Sequence, residues 1–401
     1  MSGSVRIKIA FVAYLGKRSA NGGLCSLFEL ATRIKDSHCR IYTQRADDCW
    51  AEWREHGIDV EIINDGLGRA ASTGSFVQSF HFARNLRSAW SKDRPDVVVC
   101  NDIRAVFSAA PVARMLRIPI AFFVRDIFPP QRKYGLKWRL AASSVDLLLC
   151  LSKEMASELR QRLKLLSRKP PSLEILYSVV DFERMRARES IAENTYRRQE
   201  LRVQYGIPAD QFVILYAAGV CDKKNQLDLL ANLNDLRHQL PSGHIYFVGD
   251  YSPGSDPYCR ACQAMMQQQG LADFVTFAGY TNQIEDWYAL ADCTLLASRR
   301  EGLARCMIES LASGVPVVSF DVTSAREILE EQHCGLVTKQ GEYSELFEQL
   351  AKLHTNPELR ERLGHQGGVI AKKLFAPNQA TARFSKLLSQ LTEAKGVNER
   401  R

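Results

Sequence analysis

The sequence predicts an α/β protein of two doubly wound, Rossmann-like domains facing each other across a cleft. Three observations predict it. Short apolar runs alternate with helix-length stretches along most of the 401 residues. Most of these runs are continuous rather than alternating, as parallel strands covered on both faces require. The pattern breaks at a polar, charged stretch from Phe182 to Gln204 and then starts again, which implies two such sheets rather than one. At roughly 100–200 residues per domain, the length allows two or three full cores.

In the first half the candidate strands are Ile7–Tyr14, Arg40–Thr43, Val60–Ile63, Asp96–Cys100, Ile120–Val124, Asp146–Leu151 and Leu173–Val180. The stretch from Phe182 to Gln204, with Pro208 beyond it, reads as a linker with some helix. The second set is Phe212–Ala217, His244–Val248, Phe274–Phe277, Cys293–Ala297, Val315–Phe320 and Gly335–Val337, with helices such as Gln226–His238 and Pro257–Gln269 between them. Helical spacing returns from Pro377 to Lys395. The boundaries that follow are a domain over 1–180, a linker over 181–207, a second domain over 208–375, and a C-terminal helix over 376–401 that packs back on the first domain.

The net charge of +8 is unevenly spread. Residues 1–180 carry 28 Lys+Arg against 17 Asp+Glu, while the rest carry 25 against 28. An anionic partner for the first half is the implication. The sequence has 11 cysteines, an odd number, and several, such as Cys100 and Cys150, lie inside apolar runs; in a reducing compartment these behave as small buried hydrophobes. The close pair Cys259 and Cys262 lacks the second pair a zinc ribbon needs. There is no apolar run of transmembrane length and no secretory signal at Met1–Val12, so a cytosolic location is expected.

The motif richest in chemistry runs from Ser298 through Glu301-Gly302-Leu303-Ala304-Arg305 and Glu309 to Gly314-Val315-Pro316-Val317-Val318. A strand ends at Ala297, a polar loop follows, and a helix starts near Ala304. Gly302 permits a tight turn. Amides at Leu303, Ala304 and Arg305 then open a helix N-terminus, a natural seat for phosphate. Glu301 is placed to accept hydrogen bonds from sugar hydroxyls, and Glu309, just over a turn deeper, to take both hydroxyls of a ribose. Acidic residues at a helix start are also what the helix dipole favours; the Gly-x-Pro-Val-Val strand that follows is what makes the unit specific.

On these residues the sequence resembles a family-4 glycosyltransferase, a retaining group with the two-domain GT-B fold. That family carries a Glu, seven residues, a second Glu, and then Gly-x-Pro-Val-Val; Glu301, Glu309, Gly314, Pro316, Val317 and Val318 match. Val248-Gly249-Asp250, Phe277-Ala278-Gly279 and Tyr288 to Asp292 also fit its blocks. The resemblance implies a nucleotide-sugar donor, a UDP- or GDP-sugar, held by the second domain. Glu301 would contact the sugar, Glu309 the ribose, Leu303 and Ala304 the phosphates, and Gly279 and Tyr280 would lie near the base. The first domain would bind the acceptor.

Three further elements fit around that site. Gly22-Gly23, after the first strand, lets a loop approach a ligand backbone-first; it is not a G-x-G-x-x-G fingerprint, so a nicotinamide site is disfavoured. Gly219 to Lys224 follows the strand Phe212–Ala217, and a lysine there neutralises a leaving diphosphate. Lys224 fits the family's lysine, with Lys223 as the second choice, and Val220 stands where the family usually has an arginine. Arg125-Asp126 stands where many relatives have His-Asp. Arg125 either holds a phosphate or pairs with Asp126 or Asp102, and Asp126 is a candidate partner for an acceptor hydroxyl.

Between Arg114 and Lys169 there are 13 Lys+Arg against 4 Asp+Glu, including Arg132, Lys133, Lys137, Trp138 and Arg139. Basic residues beside aromatics suit an anionic membrane surface, and equally a solvated face; no nucleic-acid module is visible. The expected activity is transfer of a sugar with retention to a glycan or lipid-linked acceptor, in surface polysaccharide or lipopolysaccharide assembly. It would take place in the cytosol or peripherally on the inner membrane face. No metal or other cofactor is expected, with the amides of Gly23, Leu303 and Ala304 and Lys224 in the metal's place. A sugar-nucleotide epimerase of the same fold and a non-catalytic binding protein are the rival readings.

Overall fold

The computed structural model describes residues 7–13, 22–44, 49–63, 75–125, 136–164, 170–185 and 191–396, without the side chains at 49, 75–78, 136–139, 164 and 191–195. The chain forms two compact units. One comprises Met1–Val179 with Pro377–Arg401, the other Val180–Ala376.

The first unit holds β1 (Ile7–Ala13), β2 (Ser37–Thr43), β3 (Asp59–Ile62), β4 (Val97–Cys100), β5 (Ile120–Val124), β6 (Leu147–Cys150) and β7 (Ser172–Ile175). They form one sheet in the order β3-β2-β1-β4-β5-β6-β7, parallel at every pairing. The strand order reverses between β1 and β4. The continuous apolar runs have the expected consequence: β4, β5 and β6 are buried along their whole length. One cover for this sheet comes from the far end of the chain. In the helix Pro377–Ala394, Phe384 stacks on Phe11 and Phe123 with ring centroids 6.3 and 5.7 Å apart. Arg383 and Lys395 reach Glu174 and Asp146 at 3.2 and 2.7 Å.

The second unit holds β8 (Phe212–Ala217), β9 (Gly243–Val248), β10 (Val275–Gly279), β11 (Cys293–Leu296), β12 (Val317–Phe320) and β13 (Gly335–Thr338). Its order is β10-β9-β8-β11-β12-β13, again all parallel, with the reversal between β8 and β11. Loops at the carboxyl ends of the strands flanking such a reversal form the ligand crevice of doubly wound sheets.

Two expectations need correction. The stretch read as a linker belongs to the second unit and is largely helical, with helices Phe182–Met185 and Ile191–Tyr205. Some of its charges pair with residues of the second unit. Arg197 pairs with Asp286 at 2.7 Å and Arg198 with Asp292 at 2.8 Å, while the Tyr205 ring packs on Trp287. The last strand of the first set, expected to run from Leu173 to Val180, stops pairing at Ile175. Val180 instead gives its amide to the Phe375 carbonyl, where the chain passes into the second unit.

Candidate functional site

The site is built on the loops that follow β8 and β11. After β8 the chain runs through Gly219 and a single 3-10 turn, Asp222–Lys224, into the helix Gln226–Gln239. Asn225 joins the two with a left-handed backbone, φ 64°, a conformation asparagine tolerates better than most residues. Its Nδ2 donates to the Ala297 carbonyl at 3.1 Å and to the Tyr343 hydroxyl at 2.9 Å. The Arg299 amide donates to the Lys223 carbonyl at 2.9 Å. These bonds clamp the lysine turn to the loop that carries Glu301.

Lys224 Nζ lies 2.6 Å from Glu301 Oε1, and Lys223 Nζ lies 3.7 Å from Oε2. Glu301 is only 6% exposed. Burial pushes its carboxyl pKa up, but Lys224 and Lys223 outweigh burial and hold it below the usual value. Lys224 shows the converse: burial pulls its ammonium pKa down, Glu301 pulls it up more, and the net shift is upward. The pair is thus doubly ionised at neutral pH, one fixed charge of each sign inside a water-poor site.

Glu301 leads into Gly302, Leu303 and Ala304, and the helix Arg305–Ala312 begins. Ala304 is the N-cap residue and offers no side-chain acceptor to the helix start. Among the described residues, the amides of Leu303 and Ala304 have no protein acceptor. Such amides, with the positive end of the helix dipole behind them, suit an anion. Ser324 fixes the loop from the other side. It sits at φ 75°, fully buried, and its hydroxyl donates to the Gly302 carbonyl at 2.7 Å.

Glu309 is buried on the same helix. Oε1 accepts from Arg305 Nε at 2.6 Å and Oε2 from the Tyr288 hydroxyl at 3.1 Å. Burial raises the Tyr288 pKa well above normal, so the hydroxyl keeps its proton and can only donate to the carboxylate. Cys306 lies between the two glutamates in sequence, and burial pushes its thiol up to about 12. No thiolate nucleophile is available there.

The other predicted donor residues of this unit are tied in through β9 and β10. Gly279 ends β10 at φ 78° and gives its carbonyl to the Gly249 amide at 2.8 Å. Gly249 passes so close to the end of β8 that a Cβ would stand 2.4 Å from both C and O of Ala218. The chain Gly279–Gly249–Gly219 is therefore one continuous edge. Tyr280, about half exposed, donates to Asn282 Oδ1 at 2.8 Å. Val220 is buried in the core, so the position where relatives carry arginine faces inward here. Gly219, Lys223, Lys224, Gly279, Gly302, Leu303, Ala304, Glu301 and Glu309 thus gather around the β8/β11 reversal. Gly249 and Tyr288, which support them, lie in blocks that fit the family's pattern; Asn225 and Ser324, which also support them, were not singled out from sequence. The Asn directly after Lys224 was the available signal.

In the first unit Gly22 and Gly23 begin the helix Gly22–Ala31 after β1, with the Ser26 hydroxyl donating back to the Gly22 carbonyl at 3.0 Å. Arg125 follows β5. Its Nη2 and Nε donate to Asn101 Oδ1 at 2.7 and 3.1 Å, and its guanidinium stacks over Phe123 at 4.5 Å. Asn101, at the end of β4 and 2% exposed, is thus a partner that sequence reading missed. Asp102 caps the helix Ile103–Met115 through the Ala105 amide at 2.8 Å. Asp126, Arg132 and Lys133 lie outside the described residues, as do the side chains of Lys137, Trp138 and Arg139. Among the described residues, no helix is long and apolar enough to cross a membrane.

Comparison with known proteins gives the same picture. Residues 26–184 match the model for Glycosyltransferase Family 4 and residues 197–368 the model for glycosyl transferases group 1. The lipopolysaccharide core biosynthesis glycosyltransferase LpsD of Rhizobium meliloti is 21% identical over 338 residues, 84% of this chain and 87% of that protein. EpsD of Bacillus subtilis is 28% identical over 170 residues, 42% of this chain and 43% of its own length. A GDP-mannose-dependent phosphatidylinositol monomannoside mannosyltransferase of Mycobacterium tuberculosis is 26% identical over 205 residues, 49% and 50% of the two chains. The matches to EpsD and to the mannosyltransferase thus span about half the length of those relatives. HepE of Anabaena, solved with UDP-glucose, superposes with a TM-score of 0.81 at 20% identity, over 96% of this chain and all of that one, which speaks to the fold. Two glycosyltransferase models in succession, and two parallel sheets each with a reversal that gathers the motif residues, show that this chain belongs to the family-4 glycosyltransferases of GT-B fold.

Proposed function

We propose that the chain moves a sugar with retention from a UDP- or GDP-sugar to a glycan or lipid-linked acceptor in polysaccharide or lipopolysaccharide assembly. The observation that carries this reading is the Lys224–Glu301 pair beside the unbonded amides of Leu303 and Ala304, at the strand reversal of the second unit. As the glycosidic bond breaks, negative charge grows on the diphosphate. Lys224, Lys223 and the two amides meet it, already oriented and shielded from water. Glu301 accepts from hydroxyls of the sugar and Glu309 from the ribose, while Gly279 and Tyr280 flank the base. The acceptor attacks from the face the diphosphate leaves, and the diphosphate takes the acceptor proton. The protein contributes positioning and charge, and amides and lysines stand in for a metal.

Gly22 and Gly23 are assigned to the donor, and Arg125 and Asp126 to the acceptor side. The basic stretch with Arg132, Lys133, Lys137, Trp138 and Arg139 is assigned to an anionic membrane surface or the lipid part of the acceptor. Named relatives support the substrate class: HepE was solved with UDP and with UDP-glucose, and LpsD is a lipopolysaccharide core enzyme.

The test is a panel of UDP- and GDP-sugars with and without lipid-linked acceptors. The expected result is nucleotide released only when acceptor is present, with the product anomer matching the donor by NMR. Equal release without acceptor would favour the epimerase, and absence of donor binding in calorimetry would favour a binding protein. Glu301→Gln should lower turnover by more than roughly tenfold; near wild-type turnover would remove Glu301 from the site.

A further inference from the structure

The second unit has another cavity, at the opposite end of its sheet. It has a volume of about 420 Å³ and is lined by Arg198 and Arg202, by Gln211 and Phe212, by Asp292 and by Arg360, among others. Phe212 opens β8 and Asp292 immediately precedes β11, so the cavity lies at the amino ends of these strands. Glu301 follows the carboxyl end of β11. The cavity is therefore separate from the donor crevice.

Three guanidiniums share this cavity with one largely shielded carboxylate, Asp292. Asp292 Oδ1 takes Arg198 at 2.8 Å, and Oδ2 lies 3.7 Å from Arg202 while accepting the Val213 amide at 2.9 Å. One carboxylate thus serves two arginines and a strand amide. Arg202 is 8% exposed and otherwise donates only to the carbonyls of Pro208 and Gln211. Arg360 uses Nη1 on the carbonyls of Leu353 and His354, at 2.5 and 2.9 Å, and lies over the Phe212 ring at 5.4 Å. No carboxylate reaches it among the described residues. Asp210, also at the rim, is exposed, and water screens its charge.

A buried cation with less than one anion to match it is costly. Burial, reinforced by the charge of Arg198, pulls the Arg202 pKa down against the opposing pull of Asp292 and Asp210. Arg198 and Arg360 have guanidinium N–H groups without protein acceptors. A planar guanidinium with free N–H groups presents a fork that matches a phosphate oxygen pair.

We propose that this cavity is a second anion site that takes a phosphate monoester, with inorganic phosphate as its simplest occupant. The volume also admits a sugar-sized group on the phosphate. Arg198 and Arg202 sit on the helix Ile191–Tyr205, so an anion there also locks that helix to the sheet.

The experiment uses the full chain and isothermal calorimetry with inorganic phosphate and, in parallel, glucose 6-phosphate, at constant ionic strength set with chloride. The variants are Lys224→Ala, which removes a cation from the donor crevice, and Arg360→Gln; circular dichroism confirms folding. The expected result is one saturable phosphate event that survives Lys224→Ala and saturating UDP or GDP, and that weakens at least roughly tenfold in Arg360→Gln. Arg360→Gln should leave nucleotide affinity unchanged. If Arg360→Gln does not fold, Arg198→Lys replaces it; it keeps the charge but loses the fork, and phosphate binding should still fall. Tighter binding of glucose 6-phosphate than of phosphate would assign a sugar phosphate as the occupant, and equal binding would assign the phosphate group alone. Phosphate binding that is absent in wild type, or that vanishes with nucleotide or in Lys224→Ala alone, would overturn the proposal.

Discussion

Replacing Lys224 by methionine removes one charge and keeps most of the volume. Glu301 is then a buried carboxylate whose nearest cation is Lys223, at 3.7 Å. Loss of one partner from a buried ion pair costs roughly 3–5 kcal/mol. Lys223 can move onto the freed oxygen, so the low end, about 3 kcal/mol, is expected. For a unit of this size each kcal/mol lowers Tm by about 2–4 °C, so the second unit should melt roughly 6–12 °C earlier at pH 8. The pH dependence gives the sharper check. In the wild type the Glu301 pKa lies below its usual 4.5, and that of Lys224 above its usual 10.5. The depressed carboxyl contributes stability that is present above 4.5 and lost as pH falls through the folded value. The raised ammonium contributes stability that is present below 10.5 and lost as pH rises through its folded value. In the variant, burial of Glu301 is opposed chiefly by Lys223, its pKa rises, and protonation at mildly acidic pH relieves the buried charge. The stability gap between wild type and variant should therefore be widest near pH 8 and shrink toward pH 5. Urea denaturation across this range measures it. In Lys224→Met/Glu301→Gln both charges are gone, and most of the loss should return. A gap that does not change with pH, or a double variant no more stable than the single one, would refute the coupling.

Three other outcomes are expected. Gly249→Ala should cost about 3 kcal/mol or more and disturb nucleotide binding, because its Cβ would stand 2.4 Å from backbone atoms that cannot step aside; calorimetric melting checks it. Arg305→Gln frees Oε1 of Glu309, now held at 2.6 Å, and should raise donor KM by roughly tenfold, about 1.4 kcal/mol, with little change in kcat; steady-state kinetics separates the two. Phe384→Ala, which empties a fully buried place between Phe11 and Phe123, should destabilise the first unit by roughly 3–5 kcal/mol. A change under about 1 kcal/mol in equilibrium unfolding would count against that packing.

The parallel sheets were legible because burial on both faces writes itself as unbroken apolar runs, as in Val97–Cys100 and Leu147–Cys150. The loop and helix start that carry Glu301, Gly302 and Glu309 were legible because a strand end, a glycine and a helical run follow one another there. What sequence could not carry was the identity of partners distant along the chain. Arg197 and Arg198 look like solvent-facing charges until Asp286 and Asp292 are brought beneath them. Ser324 gives no sign that it would adopt φ 75° and hold Gly302. Nothing in the sequence pairs Arg125 with Asn101, 24 residues away.

The route of the chain has a bearing on its synthesis. The sheet of the first unit is made early, but the helix that covers Phe11 and Phe123 belongs to residues after Pro377. Roughly 200 residues of the second unit are translated in between, which at about 5–20 residues per second takes some 10–40 s. During that interval an apolar face of the nascent sheet lacks its partner while the ribosome is still working. Of the two units, the first is thus the earlier to emerge and the later to be completed.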